Sequence, residues 1–394
     1  MTQSSESRQP APLELRTISS AEHTAHLAAQ PLSSFLQNPR WPAVKTEWDA
    51  EHLGVFAGDE LIAAALVLHR QLPIPGFVPG LGKKRLSYIA EGPVFDATQH
   101  SLAPILEKVS TYLTRQGAFL IRMGVPGILR RWEAKEVRRA LAAGEHRTLD
   151  ELEPLDGGAS PWAQRVTDDL RAQGWQPPVT STDFEAGQPH FQARIPLVDE
   201  SGEALDVDGV LSRMDQTSRR QTRKSTRSEL EISVGTAEDL PAWQALYEET
   251  AERDGFTGRP LEYFQRMHRE LNASELSECT LYLAHFEGQL LAAAIYVRQG
   301  EFGWYVYGAS SGEERKRYAP RALQLRQIED ALAAGCRWYD LGGLSPSLEP
   351  DHELAGLTRF KTTMGADVVQ TFGEWDLTVN PLLAKAFSLY MARR

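Results

Sequence analysis

A chain of 394 residues, 42% hydrophobic and 24% charged, holds enough apolar material for two or three folded domains. Its net charge of −11 excludes a protein that binds nucleic acid through overall charge, so phosphate contacts must come from local clusters. No apolar run approaches the roughly 18–20 residues that cross a membrane, and the Ser/Gln/Pro-rich start (1–20), expected to be a disordered tip, lacks the order of a secretory signal.

His23 and His26 come first in chain order. With no Cys or carboxylate cluster beside them they predict a solvated helix face rather than a metal site. Next, Phe56 to Val67 (FAGDELIAAALV) combines a Gly-containing turn with a long apolar run holding three alanines, the pattern of a β-hairpin leading into a buried strand. RLSYIAEGPVFD (85–96), a helical stretch from about Ser101 to Arg115, Gly117 and the strand AFLIRM follow. The same order recurs at Phe286 to Val297 (FEGQLLAAAIYV), FGWYVYGASS, a helical stretch from about Pro320 to Ala334, Gly335 and CRWYDLGG. Four matching elements in one order argue for an internal duplication.

The repeated unit is similar to the GNAT acyltransferase domain. The expected fold is therefore α/β (α+β): tandem GNAT-like domains at 14–165 and 185–362, each a mixed β-sheet flanked by helices. Pro-, Gly- and Ser-rich sequence separates them, and 363–394, a strand and a short amphipathic helix, is expected to pack back on the first. Cys279 and Cys336, far apart, suit a reducing cytoplasm and speak against disulfides or a cysteine zinc site.

A GNAT domain that uses acetyl-CoA cradles the pyrophosphate on consecutive backbone N–H groups at a helix N-terminus, which needs small residues. Here those positions read EGPVFDATQHSLA and SSGEERKRYAPRAL, where Tyr318 and Arg321 crowd the loop. The acyl donor is expected to be something other than CoA.

Such a pair resembles the FemABX peptidyltransferases. The likeness rests on the joint order of SFLQNPRWPAVK (34–45), RLSYIAEGPVFD, RDGFTGRPLEYFQRM (253–267), YVYGASS (305–311), CRWYDLGGLS (336–345), LTRFKTTMGADVV (357–369) and GEWDLTVNPLL (373–383). No heptad run stands for the long coiled-coil arm of some members. The resemblance implies transfer of an amino acid (Gly, Ala or Ser) from aminoacyl-tRNA to the stem-peptide side-chain amine of a peptidoglycan precursor, lipid II or the UDP-linked muropeptide. It implies a cytoplasmic enzyme with peripheral contact to the membrane face, and neither metal nor cofactor beyond the tRNA co-substrate. Lys45, Thr257, Arg259 and Tyr263 match family residues that hold the precursor diphosphate, a task suited to the planar Arg fork. Tyr305 and Tyr307 are two apart on a strand and so expected on one face; a tyrosine of this motif lines the family's substrate groove, and Tyr307, closer to the strand end, is the favoured match. Phe360 matches the residue placed at the tRNA 3′ end, where a ring stacks on adenosine. Lys361, with Tyr307, is the expected catalytic group. The aspartate with which the first-domain strand often ends in this family is Gly124 here, so the proton acceptor is not assigned.

Other readings compete. Gly308-Ala309-Ser310-Ser311-Gly312, with Asp340 and His352 downstream, satisfies a hydrolase nucleophile elbow, but no Gly-rich oxyanion loop precedes it and the partners follow too closely. A CoA-dependent N-acyltransferase is the leading alternative, and a non-catalytic binding protein is a third. The cluster Arg213, Arg219, Arg220, Arg223, Lys224 and Arg227 reads either as a solvated helix or as an anion surface.

Overall fold

The computed structural model describes residues 12–72, 84–178 and 187–391. The amino-terminal tip (1–11) and the middle of the boundary between the repeats (179–186) lie outside the described residues. The described strands are β1 (Leu13–Thr17), β2 (Asp49–Ala57), β3 (Glu60–Gln71), β4 (Arg85–Ile89), β5 (Val94–Phe95), β6 (Ala118–Gly124), β7 (Ile128–Trp132), β8 (Phe191–Pro196), β9 (Glu231–Gly235), β10 (Ser277–Phe286), β11 (Gln289–Gln299), β12 (Phe302–Ser310), β13 (Trp338–Gly343), β14 (Asp367–Thr371) and β15 (Glu374–Thr378). They form two mixed sheets. The first runs β1-β2-β3-β4-β6-β15, with β5 on β3; the second runs β7-β14-β8-β13-β12-β11-β10-β9.

The duplicated order is present in both. β2–β3 and β10–β11 are antiparallel hairpins, each with a register shift near its turn. Gly58 and Gly288 close them at φ of 65° and 80°, the left-handed region that glycine enters without a Cβ clash. β4 and β12 then pair antiparallel to their hairpins, and β6 and β13 return parallel to β4 and β12 after the helices Leu102–Arg115 and Ala319–Ala333.

Ala63–Ala65 and Ala292–Ala294 are at most 1% exposed because both faces of their strands are covered, which is why these runs are uniformly apolar. Ala292 and Ala294 face a core with Leu323 and Ile328; Ala293 faces the opposite core with Trp243 and Phe264. That second core also takes in Leu66 and Leu68 of β3 and the Phe35–Trp41 segment, so the halves share a buried seam. Polar contacts fix the seam: Asn38 Nδ2 donates to Gln299 Oε1 at 3.1 Å, and Gln299 Nε2 donates to the Ser34 carbonyl at 2.9 Å.

Strands also cross between the halves. β7, within 14–165, pairs with β14 in the second sheet. The segment after 362 divides: β14 stays in the second sheet, whereas β15 pairs with β6 in the first. Phe387 of the helix Pro381–Met391 packs on Phe119 of β6, ring centroids 5.6 Å apart.

The expectation of a solvated histidine pair is corrected. The helix Ser20–Ala28 lies on the first sheet, which buries His23 completely, with its Nδ1 2.9 Å from His52 Nδ1. Burial, then the charges of His52 and His26, lower the His23 pKa to about 3. Among the described residues no group of three or more metal-ligating side chains gathers.

Candidate active site

A cleft of about 460 Å³ opens along the seam, lined from both halves. At one end Lys45 Nζ lies 5.3 Å from the Tyr263 ring centroid and Arg259 lies 5.4 Å from the same centroid. Neither cation forms an ion pair with a carboxylate among the described residues. Burial, then the Arg259 charge, lower the Lys45 pKa. Two cations held on one aromatic ring with no carboxylate in ion-pair contact among the described residues make an anion site, and the repulsion between them is relieved when a polyphosphate binds. Tyr263 opens the helix Leu261–Asn272, whose apolar stripe of Phe264, Met267 and Leu271 is buried, and this fixes the ring. Thr257 is exposed in the preceding loop and does not line the cleft.

Tyr305 and Tyr307 do not share a face. In the pairing of β11 with β12, Ile295 faces Tyr307 and Tyr296 faces Tyr305, so Val306 is an extra residue, a β-bulge that breaks the two-residue alternation. Tyr307 turns to the aromatic cluster, its Oη 3.5 Å from Tyr263 Oη. Tyr305 packs toward the helix Ala319–Ala333, its hydroxyl lying over Gly308; a Cβ there would stand 1.5 Å from it.

The cleft floor is the turn after Asp340. Asp340 Oδ2 accepts from Arg194 Nε at 2.8 Å and Oδ1 accepts from the Gly342 amide at 2.6 Å, folding a turn that needs φ of 79° at Gly342. Lys361, 7% exposed on the helix Ala355–Thr363, donates from beneath to the Gly343 carbonyl. Burial pulls its pKa down to about 8, against the pull of the Asp340 carboxylate.

Phe360 points elsewhere, into a neighbouring cavity of about 390 Å³ beside Tyr318 and Arg321, with the Arg321 guanidinium 5.7 Å from its ring. The two adjacent residues therefore serve different cavities. Lys224 of the basic cluster extends toward this region, its Nζ 5.4 Å from the Tyr318 ring, while Arg213 is committed to the buried Asp367 at 2.8 Å. Ser310, Asp340 and His352 share no hydrogen bond among the described residues, because Asp340 is held by Arg194 and His352 Nδ1 accepts from the Leu354 amide.

The whole-chain comparisons agree with this geometry. The FemAB family profile matches residues 18–287 and 272–391. The chain belongs to the FemAB family. It is 26% identical to the UDP-N-acetylmuramoylpentapeptide-lysine N(6)-alanyltransferase of Weissella viridescens, an alignment covering 89% of this chain and 91% of that one. It is 22% identical to the lipid II:glycine glycyltransferase of Staphylococcus saprophyticus subsp. saprophyticus, covering 93% and 94%. A FemX crystal structure superposes with a TM-score of 0.74 at 20% identity, over 95% of this chain and 99% of that one, which shows a common fold.

In this FemAB member, sequence reasoning passed over Arg194, Glu91 and the structural role of Asp340. A charge in the middle of the short strand β8, FQARIP, whose other residues apart from Gln192 are apolar, was the available signal for Arg194, since a buried charge needs a partner. Asp340 in WYDLGG carries the same mark.

Proposed function

We propose that this FemAB-family protein is an aminoacyltransferase that moves glycine, alanine or serine from aminoacyl-tRNA to the side-chain amine of a peptidoglycan stem peptide, forming the interpeptide bridge. The acceptor is lipid II or the UDP-linked muropeptide, met in the cytoplasm or at the membrane face; no described helix is long and apolar enough to cross a membrane. The names of the related alanyltransferase and glycyltransferases support this class of reaction.

One observation carries the reading: Lys45 and Arg259 flank Tyr263, neither in an ion pair among the described residues, at the end of a cleft floored by Gly342 and Gly343 above Lys361. The cations hold the precursor diphosphate, with Tyr263 and Tyr307 as the wall and Thr257 approaching from the exposed loop. The stem peptide then runs toward the floor. The ester is already activated, so catalysis consists of aligning amine and carbonyl and stabilising the oxyanion. Lys361 supplies the positive charge through the floor and Tyr305 lines the same cleft, while Phe360, on the donor side, stacks on the terminal adenosine. No metal or CoA enters this scheme.

Titration calorimetry tests the donor and acceptor classes together. The chain is expected to bind UDP-linked muropeptide and charged tRNA with one site each and to give no heat with acetyl-CoA. Stoichiometric binding of acetyl-CoA contradicts the proposal.

A further inference from the structure

Strand β6 ends at Gly124, and three carboxylates lie close by. Glu374 is the cross-strand partner of Gly124, but its Oε1 accepts from Tyr88 and from the Gln188 amide, and it lines neither cavity of the seam. Asp340 lines the cleft but is held by Arg194 and Gly342. Glu91 differs from both. It stands in the wall shared by the cleft and a second cavity of about 430 Å³, and lines each.

Its position is built. Glu91 has φ of 49°, an unfavourable conformation for a side chain other than glycine, and the surrounding structure holds it there. Gln37, itself fully buried, donates from Nε2 to the Ala90 carbonyl at 2.5 Å and fills the space beside Gly92, where a Cβ would meet its Cδ at 2.7 Å. Ser34 and Gln192 stand beside the Glu91 carboxyl. A Cβ on Gly124 would lie 3.3 Å from the Glu91 backbone nitrogen, so Glu91 borders the place that an aspartate at 124 would occupy.

We propose that Glu91, in the loop after β4, is the catalytic proton acceptor for the attacking amine. This rests on the transfer reaction proposed above. Glu91 takes one proton from the acceptor ammonium. The freed lone pair forms the C–N bond to the ester carbonyl carbon, and the bond from that carbon to the ribose oxygen breaks. The ribose oxygen takes the second nitrogen proton, and the first passes from Glu91 to solvent, so one amide, one ribose hydroxyl and one proton result.

The charges around Glu91 suit the role. Burial raises its pKa; Arg194 lowers it, Asp340 raises it, and the phenol of Tyr88 is its other titratable neighbour. A carboxyl moved toward neutrality is a better match to an amine than an ordinary one. Asp340 also acts on Lys361, so the acceptor of the proton and the cation under the floor answer to one buried carboxylate.

Transfer to the UDP-linked muropeptide by wild type, Glu91→Gln and Glu91→Asp, each assayed from pH 5.5 to 9.5 alongside calorimetric muropeptide binding, tests the inference. Glu91→Gln is expected to lower kcat by about 10²–10⁴-fold with binding within about twofold, a magnitude usual for a lost general base. Below about pH 8, where Lys361 keeps its charge, its log kcat should rise with unit slope as free amine accumulates, without the plateau of the wild type. Glu91→Asp should keep the plateau at an intermediate rate. A Gln variant within about threefold of wild type, or one that loses muropeptide binding to the same extent as rate, overturns the assignment. If the wild type itself transfers nothing, the parent reading falls and takes this one with it; if only the Gln variant matches wild type, the parent reading stands alone.

Discussion

Arg194 on β8 and Asp340 on β13 are cross-strand partners, Nε to Oδ2 2.8 Å, in the interior of the second sheet. Each side chain is at most 10% exposed. A buried ion pair of this kind leaves a stranded charge when one partner is removed. Arg194→Met and Asp340→Asn should each lose about 3–5 kcal/mol in urea unfolding. The double variant Arg194→Met/Asp340→Leu should lose less than the sum of the singles. Additive losses would mean that the two side chains do not depend on each other.

Lys45→Ala and Arg259→Ala address the anion end of the cleft. A charge-assisted hydrogen bond contributes about 1.5–3 kcal/mol, so each variant should raise the KM for muropeptide by roughly 10–100-fold with little change in kcat. Steady-state kinetics with varied muropeptide reads this directly. An unchanged KM in both would move the diphosphate elsewhere.

Lys361 predicts opposite pH trends for rate and stability. Its folded pKa, about 8, lies below the ordinary lysine value of 10.5, so holding the charge costs the native state at neutral pH. The unfolded chain keeps the proton between those values, and stability should therefore rise as pH climbs from 8 to 10.5. The rate should fall over the same climb, because the ammonium is the form that meets developing negative charge. Lys361→Met should abolish both trends, lower kcat by about 10²–10³-fold and leave the melting temperature no lower than wild type. Melting curves and a pH–rate profile check the pair.

Two glycines make a matched contrast. Gly308→Ala places a Cβ 1.5 Å from the Tyr305 hydroxyl and should cost about 1–3 kcal/mol while disordering the cleft wall. Gly356 lies in the helix Ala355–Thr363 with no atom within 4 Å of a Cβ, so Gly356→Ala should stabilise by about 0.5–1 kcal/mol. Denaturant midpoints decide each sign.

The repeats were legible because covering both faces of a strand forces a local signature. Ala63–Ala65 and Ala292–Ala294 announce it, and Gly58, Gly117, Gly288 and Gly335 mark turns that require positive φ. What crosses between the halves was not legible. β7 and β15 look like neighbours of the elements beside them in sequence, yet they pair in opposite sheets, and no short-range pattern encodes that choice. The bulge at Val306 escaped for a related reason: an alternating YVY reads as one face until a partner strand shows the register. His23 misled because a polar residue near a ragged start offers no sign that a helix will press it against a sheet. Glu91 lay in RLSYIAEGPVFD, a segment noted for its likeness to relatives, but its approach to Gly124 exists only in three dimensions.

Mass spectrometry of UDP-linked muropeptide after incubation with a panel of charged tRNAs tests the central claim most directly. The account predicts a mass gain of one amino-acid residue, located on the stem side-chain amine, from glycyl-, alanyl- or seryl-tRNA and formed far more slowly in Lys361→Met. A precursor of unchanged mass with every charged tRNA, or one acetylated when acetyl-CoA is supplied, would contradict it.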